Sequence, residues 1–242
     1  MVKGTGRTLL VPVFVIQYPN YGSNNYEEII NGENYINATV ILLNVGQQFD
    51  DIDFIDIGGG FGISYDESEP DLDLRQLGRQ LDHIFYTFVD RYRKKITFVV
   101  EPGRYICAEC GILLTTVHSV KNNPGRTFIG TDGGFNVLIR PMAYGSYHEI
   151  INCNNIKGET HRVDICGNIC ESGDLLARDR RLTETVAGDI LAVLDAGAYG
   201  YSMSSNYNAR LRPAEVLVTS AGKPQLIRKR DSLEDLTRNQ IF

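Results

Sequence analysis

Residues 52–62 read Ile-Asp-Phe-Ile-Asp-Ile-Gly-Gly-Gly-Phe-Gly, and this stretch decides the fold class. Ile52 to Ile57 has the length and content of a buried strand, and Gly58-Gly59-Gly60 turns it into a glycine-rich loop. Downstream, Leu74, Leu77, Leu81, Ile84, Phe85 and Phe88 recur at helical spacing, which predicts an amphipathic helix over 73–93. Ile96 to Val100 predicts a second strand, ending at Glu101-Pro102-Gly103-Arg104. Strand, helix and strand, with glycines closing each strand, is the order of a parallel α/β unit. Parallel strands place both glycine-bearing loops at one end. Upstream, Ile36, Val40, Leu43 and Phe49 predict a helix over 33–49. Residues 9–16 (LLVPVFVI) read as a further strand, followed by a polar turn at Tyr18 to Asn25. Pro12 and the absence of a cleavage site argue against a signal peptide there.

Past residue 112 the pattern changes. Short apolar segments (Leu113–Val120, Thr127–Thr131, Ile190–Leu194, Glu215–Thr219) alternate with turns, which predicts an antiparallel β domain. The expected division is 1–111 and 112–242, with no repeat or low-complexity tract between the halves.

Composition narrows the function classes. The chain has 242 residues, 43% of them hydrophobic and 10% aromatic, enough apolar side chain to form a core. The formal net charge of −6 argues against nucleic-acid binding; the densest basic stretch, Arg178 to Arg181, is broken by Asp179. No run of about 18 consecutive apolar residues is present, so no membrane span is expected. Five cysteines without a secretory signal argue for a reducing, cytoplasmic setting. Cys107 and Cys110 form a C-x-x-C, but Cys153, Cys166 and Cys170 follow at irregular spacing, so no metal site is expected.

The glycine loop could cradle a phosphate with backbone amides. It lacks the lysine of a nucleotide P-loop and the spacing of a dinucleotide fingerprint, and a tight strand-to-helix turn is the plain alternative. Glu101 and Arg104 add an acid and a guanidinium beside it. The second half contributes Asp132-Gly133-Gly134-Phe135-Asn136 and Ile139-Arg140-Pro141-Met142-Ala143-Tyr144. It continues with Cys170-Glu171-Ser172-Gly173-Asp174, Asp195-Ala196-Gly197-Ala198-Tyr199-Gly200 and Ser205-Asn206-Tyr207-Asn208. Taken singly, Arg140 and Tyr144 could be a surface pair, His148 a packing residue, and Asp174 and Asp195 turn-formers that brace a neighbour.

In this order the motifs resemble the fold-type-III pyridoxal-phosphate-dependent decarboxylases of basic amino acids, nearest to those acting on diaminopimelate. The similarity covers roughly residues 52–230. It implies a (β/α)8 barrel of the alanine-racemase type, here partial, followed by a carboxy-terminal antiparallel β-barrel or sandwich. It implies pyridoxal 5'-phosphate as cofactor, with Gly59, Gly60, Gly103 and Arg104 lining its phosphate and Tyr199 hydrogen-bonding it. Glu101 would face the pyridine nitrogen and keep it protonated. Arg104, Arg140, Tyr144, Glu171 and Tyr199 would hold the amino-acid substrate, arginine being suited to a carboxylate by its two-pronged fork. Cys170 would act in the protonation step, supplied across a dimer interface; a thiol ordinarily keeps its proton at neutral pH and can deliver it.

The implied reaction is α-decarboxylation of a diamino acid, meso-diaminopimelate giving L-lysine and carbon dioxide. Arg140 suits a substrate with a second carboxylate better than a plain diamine end. Ornithine, lysine, arginine or a carrier-tethered amino acid are the alternative substrates. Two departures stand out. The family's cofactor-anchoring lysine lies in a motif resembling Tyr-Ala-x-Lys-Ala, and the lysines at 3, 94, 95, 121, 157, 223 and 229 all lie outside such a context. If Gly22-Ser23 is the family's Gly-Ser, Asn20 stands where a ring-stacking histidine is expected. A full barrel takes about 250 residues, so the 111 before the β half leave room for about three strand–helix units. The chain therefore reads as a carboxy-terminal portion of such an enzyme, or as a degenerate relative that pairs with a homologous decarboxylase chain.

Overall fold

The computed structural model describes residues 32–66 and 70–241. The expected strand at 9–16, the turn at Tyr18 to Asn25, Lys3 and the Gly22-Ser23 pair lie outside the described residues. The chain divides into two compact units, Met1–Ile106 and Cys107–Phe242.

The described part of the first unit is built from α1 (Gly32–Gly46), β1 (Phe54–Asp56), α2 (Leu74–Tyr92) and β2 (Thr97–Val99). The short turn α3 (Arg104–Cys107) follows. β1 and β2 pair in parallel, Phe54 with Thr97, Ile55 with Phe98 and Asp56 with Val99. Helix α2 makes the crossover. The Asp73 side chain starts it by accepting from the Gln76 N–H at 2.9 Å, and Arg93 stops it in the left-handed region at φ 60°. Its buried stripe, Leu77, Leu81 and Phe88, packs with Leu43, Ile52, Ile55, Ile57 and Phe61. Phe85 stacks on Phe98 with ring centroids 4.0 Å apart. On α1 the buried residues are Thr39, Leu43 and Gly46, whereas Val40 and Phe49, expected to face the core, are each 38% exposed. The helix also ends three residues early. Gly46 sits where a Cβ would lie 3.0 Å from the Ile55 side chain, and residues 47–49 close the end with a tight turn.

One position on α2 is not at its stability optimum. Gly78 is exposed, mid-helix, and a Cβ there would meet nothing within 4 Å. Gly78→Ala should raise stability by about 1 kcal/mol, because alanine costs less backbone entropy in a helix. Thermal melting followed by circular dichroism checks it; an unchanged or lowered melting temperature would contradict it.

The second unit is a six-stranded sheet in the order β5-β8-β3-β4-β6-β7. Its strands are β3 (Leu113–Asn123), β4 (Arg126–Thr131), β5 (Ile150–Asn152), β6 (Thr160–Cys166), β7 (Leu175–Thr183) and β8 (Ile190–Val193). The long β3 bridges two halves: its first four residues pair with β8 and its remainder with β4, with a register shift between Val117 and Ser119. The edge strands β5 and β7 lie against each other, so the sheet nearly closes into a barrel. Val117, Ile129, Leu138, Ile150, Val163, Ile165, Leu176, Leu191 and Val193 fill it. The pairing is antiparallel, as expected of this domain, with one exception in the sheet: β4 and β6 pair in parallel. The segment between them carries α4 (Arg140–Tyr144) and β5 away and brings the chain back in the same direction. A separate antiparallel hairpin, β9 (Glu215–Val218) and β10 (Pro224–Arg228), precedes the short helix α5 (Leu233–Thr237). Among the described residues no helix is long and apolar enough to cross a membrane.

Candidate functional site

Within the first unit, the parallel pairing puts the Gly58–Gly60 loop and Glu101-Pro102-Gly103-Arg104 at the carboxyl ends of adjacent strands, the end at which open α/β sheets bind ligands. The Glu101 N–H donates to the Gly58 carbonyl at 2.9 Å. Gly59 is pressed so closely on that strand that a Cβ would lie 2.4 Å from the Glu101 carbonyl oxygen. Gly60 lies at φ +104°, which side-chain-bearing residues rarely adopt. The N–H groups of Gly59 and Gly60 meet no acceptor among the described residues. Two free amides, the exposed Glu101 carboxylate and Arg104 at the first residue of α3 therefore gather at one strand end. That is a donor set for an anion, with an acid beside it. Lys94 and Lys95 precede β2 and so lie at the opposite end of this strand pair.

Within the second unit, α4 carries Arg140 at its start, and Pro141 fits the first helical turn because it needs no N–H partner there. Arg140 is only 4% exposed, which removes the surface-pair reading, and its guanidinium lies 5.7 Å from the centre of the Tyr199 ring. Tyr144, at the other end of the helix, is 64% exposed, and the same helix therefore presents one buried cation and one solvent-facing phenol. Tyr199 has φ 58°. A bulky residue in the left-handed region costs of order 1–3 kcal/mol and persists only where the surroundings impose it. Here Gly200 packs so tightly that its Cβ would lie 2.3 Å from the Ala196 carbonyl, and Ala198 is buried.

Cys170 and Glu171 are exposed on the loop between β6 and β7. The buried Asp174 carboxylate holds this loop, accepting from the Ile169 N–H and the Phe135 N–H, both at 2.7 Å. It ties the Cys-Glu-Ser-Gly-Asp motif to Asp132-Gly133-Gly134-Phe135-Asn136, and Gly134 and Gly167 are the small residues that let it in. Burial pushes the Asp174 carboxyl up, against the pull of its two backbone donors and Arg210. Gly173 approaches the Met142 side chain, a Cβ there lying 3.4 Å from its Cγ, so this loop also rests on α4. The Asp195 carboxyl is likewise raised, by burial and by the charge of Glu109. Cys107 closes α3 and Cys110 lies beyond it, its thiol donating to the Cys107 carbonyl at 3.0 Å. Among the described residues, no cluster of three or more His, Cys, Asp or Glu side chains could hold a metal.

His148 is fully buried, its Nδ1 2.9 Å from the Leu194 carbonyl, which fixes the Nδ1–H tautomer. Burial lowers its pKa, the Leu194 hydrogen bond partly opposes this, and the charges of Arg140 and Arg180 lower it further, to about 4. The neutral form is stabilised in the fold, so the contribution is complete above the unfolded value of about 6.5 and is lost as pH falls towards 4. About 3 kcal/mol should disappear across that window. His148→Asn keeps an N–H donor without the titration, so its stability should fall less than the parent's between pH 7 and 4.5. Equal acid sensitivity in urea melts of the two proteins would rule His148 out as the source.

One residue of the first half escaped the sequence reading. Tyr35 on α1 donates its hydroxyl to the Gly58 carbonyl at 3.2 Å. No spacing rule marks it, because it sits between Asn34 and Ile36 at the start of a helix and bonds a residue 23 positions away.

Residues 26–197 match the family described as pyridoxal-dependent decarboxylase, C-terminal sheet domain. The chain is 45% identical over 192 residues to diaminopimelate decarboxylase of Methanothermobacter thermautotrophicus, an alignment covering 78% of this chain and 44% of that protein. It is 45% identical over 186 residues to the Aquifex aeolicus diaminopimelate decarboxylase, covering 76% and 42%. Among solved structures, diaminopimelate decarboxylase from M. jannaschii in complex with L-lysine superposes with a TM-score of 0.80 at 35% identity, covering 88% of this chain and 49% of that one. The chain thus spans less than half the length of these two curated relatives.

Proposed function

Because the chain belongs to the pyridoxal-dependent decarboxylase family, we propose that it takes part in pyridoxal-phosphate-dependent α-decarboxylation of a diamino acid, meso-diaminopimelate giving L-lysine and carbon dioxide. The observation that carries this is the pair of unpartnered Gly59 and Gly60 amides beside Glu101 and Arg104 at one strand end. Residues 1–111 act as part of a cofactor-binding α/β barrel and 112–242 as its β domain. The working protein is a cytoplasmic homodimer, or this chain paired with a homologous decarboxylase chain.

When bound, pyridoxal phosphate supplies a ring that accepts the electron pair left as carbon dioxide departs. Gly59, Gly60, Gly103 and Arg104 would hold its phosphate through backbone N–H groups and one guanidinium, and Tyr199 would add a hydroxyl. The Glu101 carboxylate would accept from the pyridine nitrogen and keep it protonated. Arg104, Tyr144, Tyr199 and Glu171 hold the substrate's polar groups. Arg140, buried on the face of Tyr199, binds the distal carboxylate; its burial keeps water from competing for the fork. The Cys170 thiol, brought across the subunit interface with Glu171, gives its proton to the carbon that lost the carboxylate.

The lysine observation favours one rival: a catalytically inactive chain that binds a homologous decarboxylase. The purified chain, alone and mixed with such a homologue, is incubated with pyridoxal phosphate and meso-diaminopimelate and reduced with borohydride. Peptides carrying the label are located by mass spectrometry. A single lysine adduct, with carbon dioxide release that depends on this chain, is the expected result. Association with the homologue while this chain adds nothing to carbon dioxide release would replace the enzyme reading with the rival.

A further inference from the structure

The Gly58 peptide is held at both its polar groups. Its N–H donates to Asp56 Oδ1 at 2.9 Å. Its carbonyl accepts from two donors, the Glu101 N–H at 2.9 Å and the Tyr35 hydroxyl at 3.2 Å. A carbonyl has two lone pairs, so the set is complete. Across the planar trans peptide the Gly59 N–H points opposite to the held Gly58 carbonyl, and neither it nor the Gly60 N–H finds an acceptor among the described residues. The Tyr35 ring is itself fixed: it packs on Phe61 with centroids 5.0 Å apart and lies beside Gly60, whose Cβ would come 3.8 Å from its Cδ2. Burial, then the charges of Asp56 and Glu101, push the Tyr35 hydroxyl up to about 12, so it stays protonated and remains a donor at any working pH.

We propose that Tyr35 is the positioning residue of the anion loop: its hydroxyl, reaching across from α1, locks Gly58 so that the Gly59 and Gly60 amides face a phosphate monoester. The inference rests on the loop holding the cofactor phosphate. Tyr35 touches neither the phosphate nor the reacting atoms. It acts by pre-organising the two donors, whose value to an anion depends on both being aimed before it arrives. The loop is then held from three places, β1 through Asp56, the segment after β2 through the Glu101 N–H and α1 through Tyr35, and only α1 contributes a side-chain donor.

Tyr35→Phe keeps the ring against Phe61 and removes one hydroxyl. The probes are pyridoxal phosphate and pyridoxal, which differ only in the phosphate, each titrated by absorbance onto the whole chain. Wild type should prefer pyridoxal phosphate, and Tyr35→Phe should narrow that preference roughly 3- to 10-fold, the size of one hydrogen bond, through pyridoxal phosphate alone. Amide hydrogen exchange should quicken at Gly58 and Glu101 and stay unchanged at Ile57, whose N–H lies in the strand ladder to the Val99 carbonyl. Tyr86→Phe on the exposed face of α2 should change neither readout. An unaltered preference together with unaltered exchange at Gly58 and Glu101 overturns the role of Tyr35. A wild-type chain that binds pyridoxal as well as pyridoxal phosphate overturns the phosphate reading of the loop instead, and the exchange data then show separately whether Tyr35 fixes Gly58.

Discussion

Gly197→Ala should destabilise the second unit by about 4 kcal/mol or more, the size reserved for a clash that cannot relax. A Cβ at Gly197 would lie 1.9 Å from the Cys107 carbonyl oxygen and 2.9 Å from both the Ala108 carbonyl and the Gly111 nitrogen. All three are backbone atoms, so no side chain can swing aside. The contact is mutual, since a Cβ at Gly111 would come 2.3 Å from the Gly197 Cα. Two hydrogen bonds fix the approach: Ala196 N–H to the Gly111 carbonyl at 2.8 Å and Gly197 N–H to the Ala108 carbonyl at 2.9 Å. The substitution must break them or move both strands of backbone. Circular dichroism melts should show a midpoint lowered by about 8 °C or more, taking roughly 2–4 °C per kcal/mol for a chain of this size. A midpoint within about 2 °C of the parent would mean that the segment yields easily. Tyr199, strained at φ 58°, lies two residues on, so the same change should also loosen its ring from Arg140.

The sequence revealed most where one physical rule acts alone. The 3.6-residue period of α2 and the apolar runs before each glycine turn place β1, α2 and β2 to within a few residues, because burial of a single face dictates the pattern. It revealed less where two rules compete. In β6, Asp164 is 2% exposed between Val163 and Ile165, satisfied by the Asp179 N–H at 2.8 Å and Arg126 at 3.2 Å. A buried carboxylate there, and Arg178, Arg180 and Arg181 in β7, hide the two-residue alternation of strands. The parallel pairing of β4 with β6 depends on a long excursion that no local signal encodes. The candidate site divides in the same way. Glycines that must approach backbone are visible as motifs, whereas the burial of Arg140 against Tyr199 and the grip of Tyr35 on Gly58 join residues 59 and 23 positions apart. Asp174 could be read as a turn-former, yet its partner Phe135 N–H is 39 residues away.

Cys170→Ala, in an assembly that releases carbon dioxide, should slow turnover by roughly 10²- to 10⁴-fold while leaving pyridoxal-phosphate affinity nearly unchanged. The separation follows from where the thiol sits. Cys170 is exposed, and its sulfur makes no hydrogen bond among the described residues. The loop's shape depends instead on its own backbone and on Asp174: Glu171 N–H to the Ile169 carbonyl at 2.8 Å, Asp174 N–H to the Glu171 carbonyl at 3.0 Å, and the two 2.7 Å bonds to the Asp174 carboxylate. Truncating an exposed side chain on a loop held this way should change stability by no more than about 0.5 kcal/mol. The proposed phosphate donors, Gly59 and Gly60, lie on a different loop, so cofactor affinity has no reason to follow. What alanine removes is one acidic hydrogen, and the cost should appear only in the step that consumes it. Cys170→Ser, with a hydroxyl far less ready to give up its proton, should lie close to alanine; recovery to within a few-fold of the parent would show that shape and not acidity is at work. Equal turnover in Cys170→Ala and parent would assign proton delivery to another group. A loss of turnover matched by an equal loss of affinity would make Cys170 a binding residue. Asp174→Asn gives the converse pattern: it spares the thiol but weakens the bonds that hold its loop, so turnover and stability should fall together.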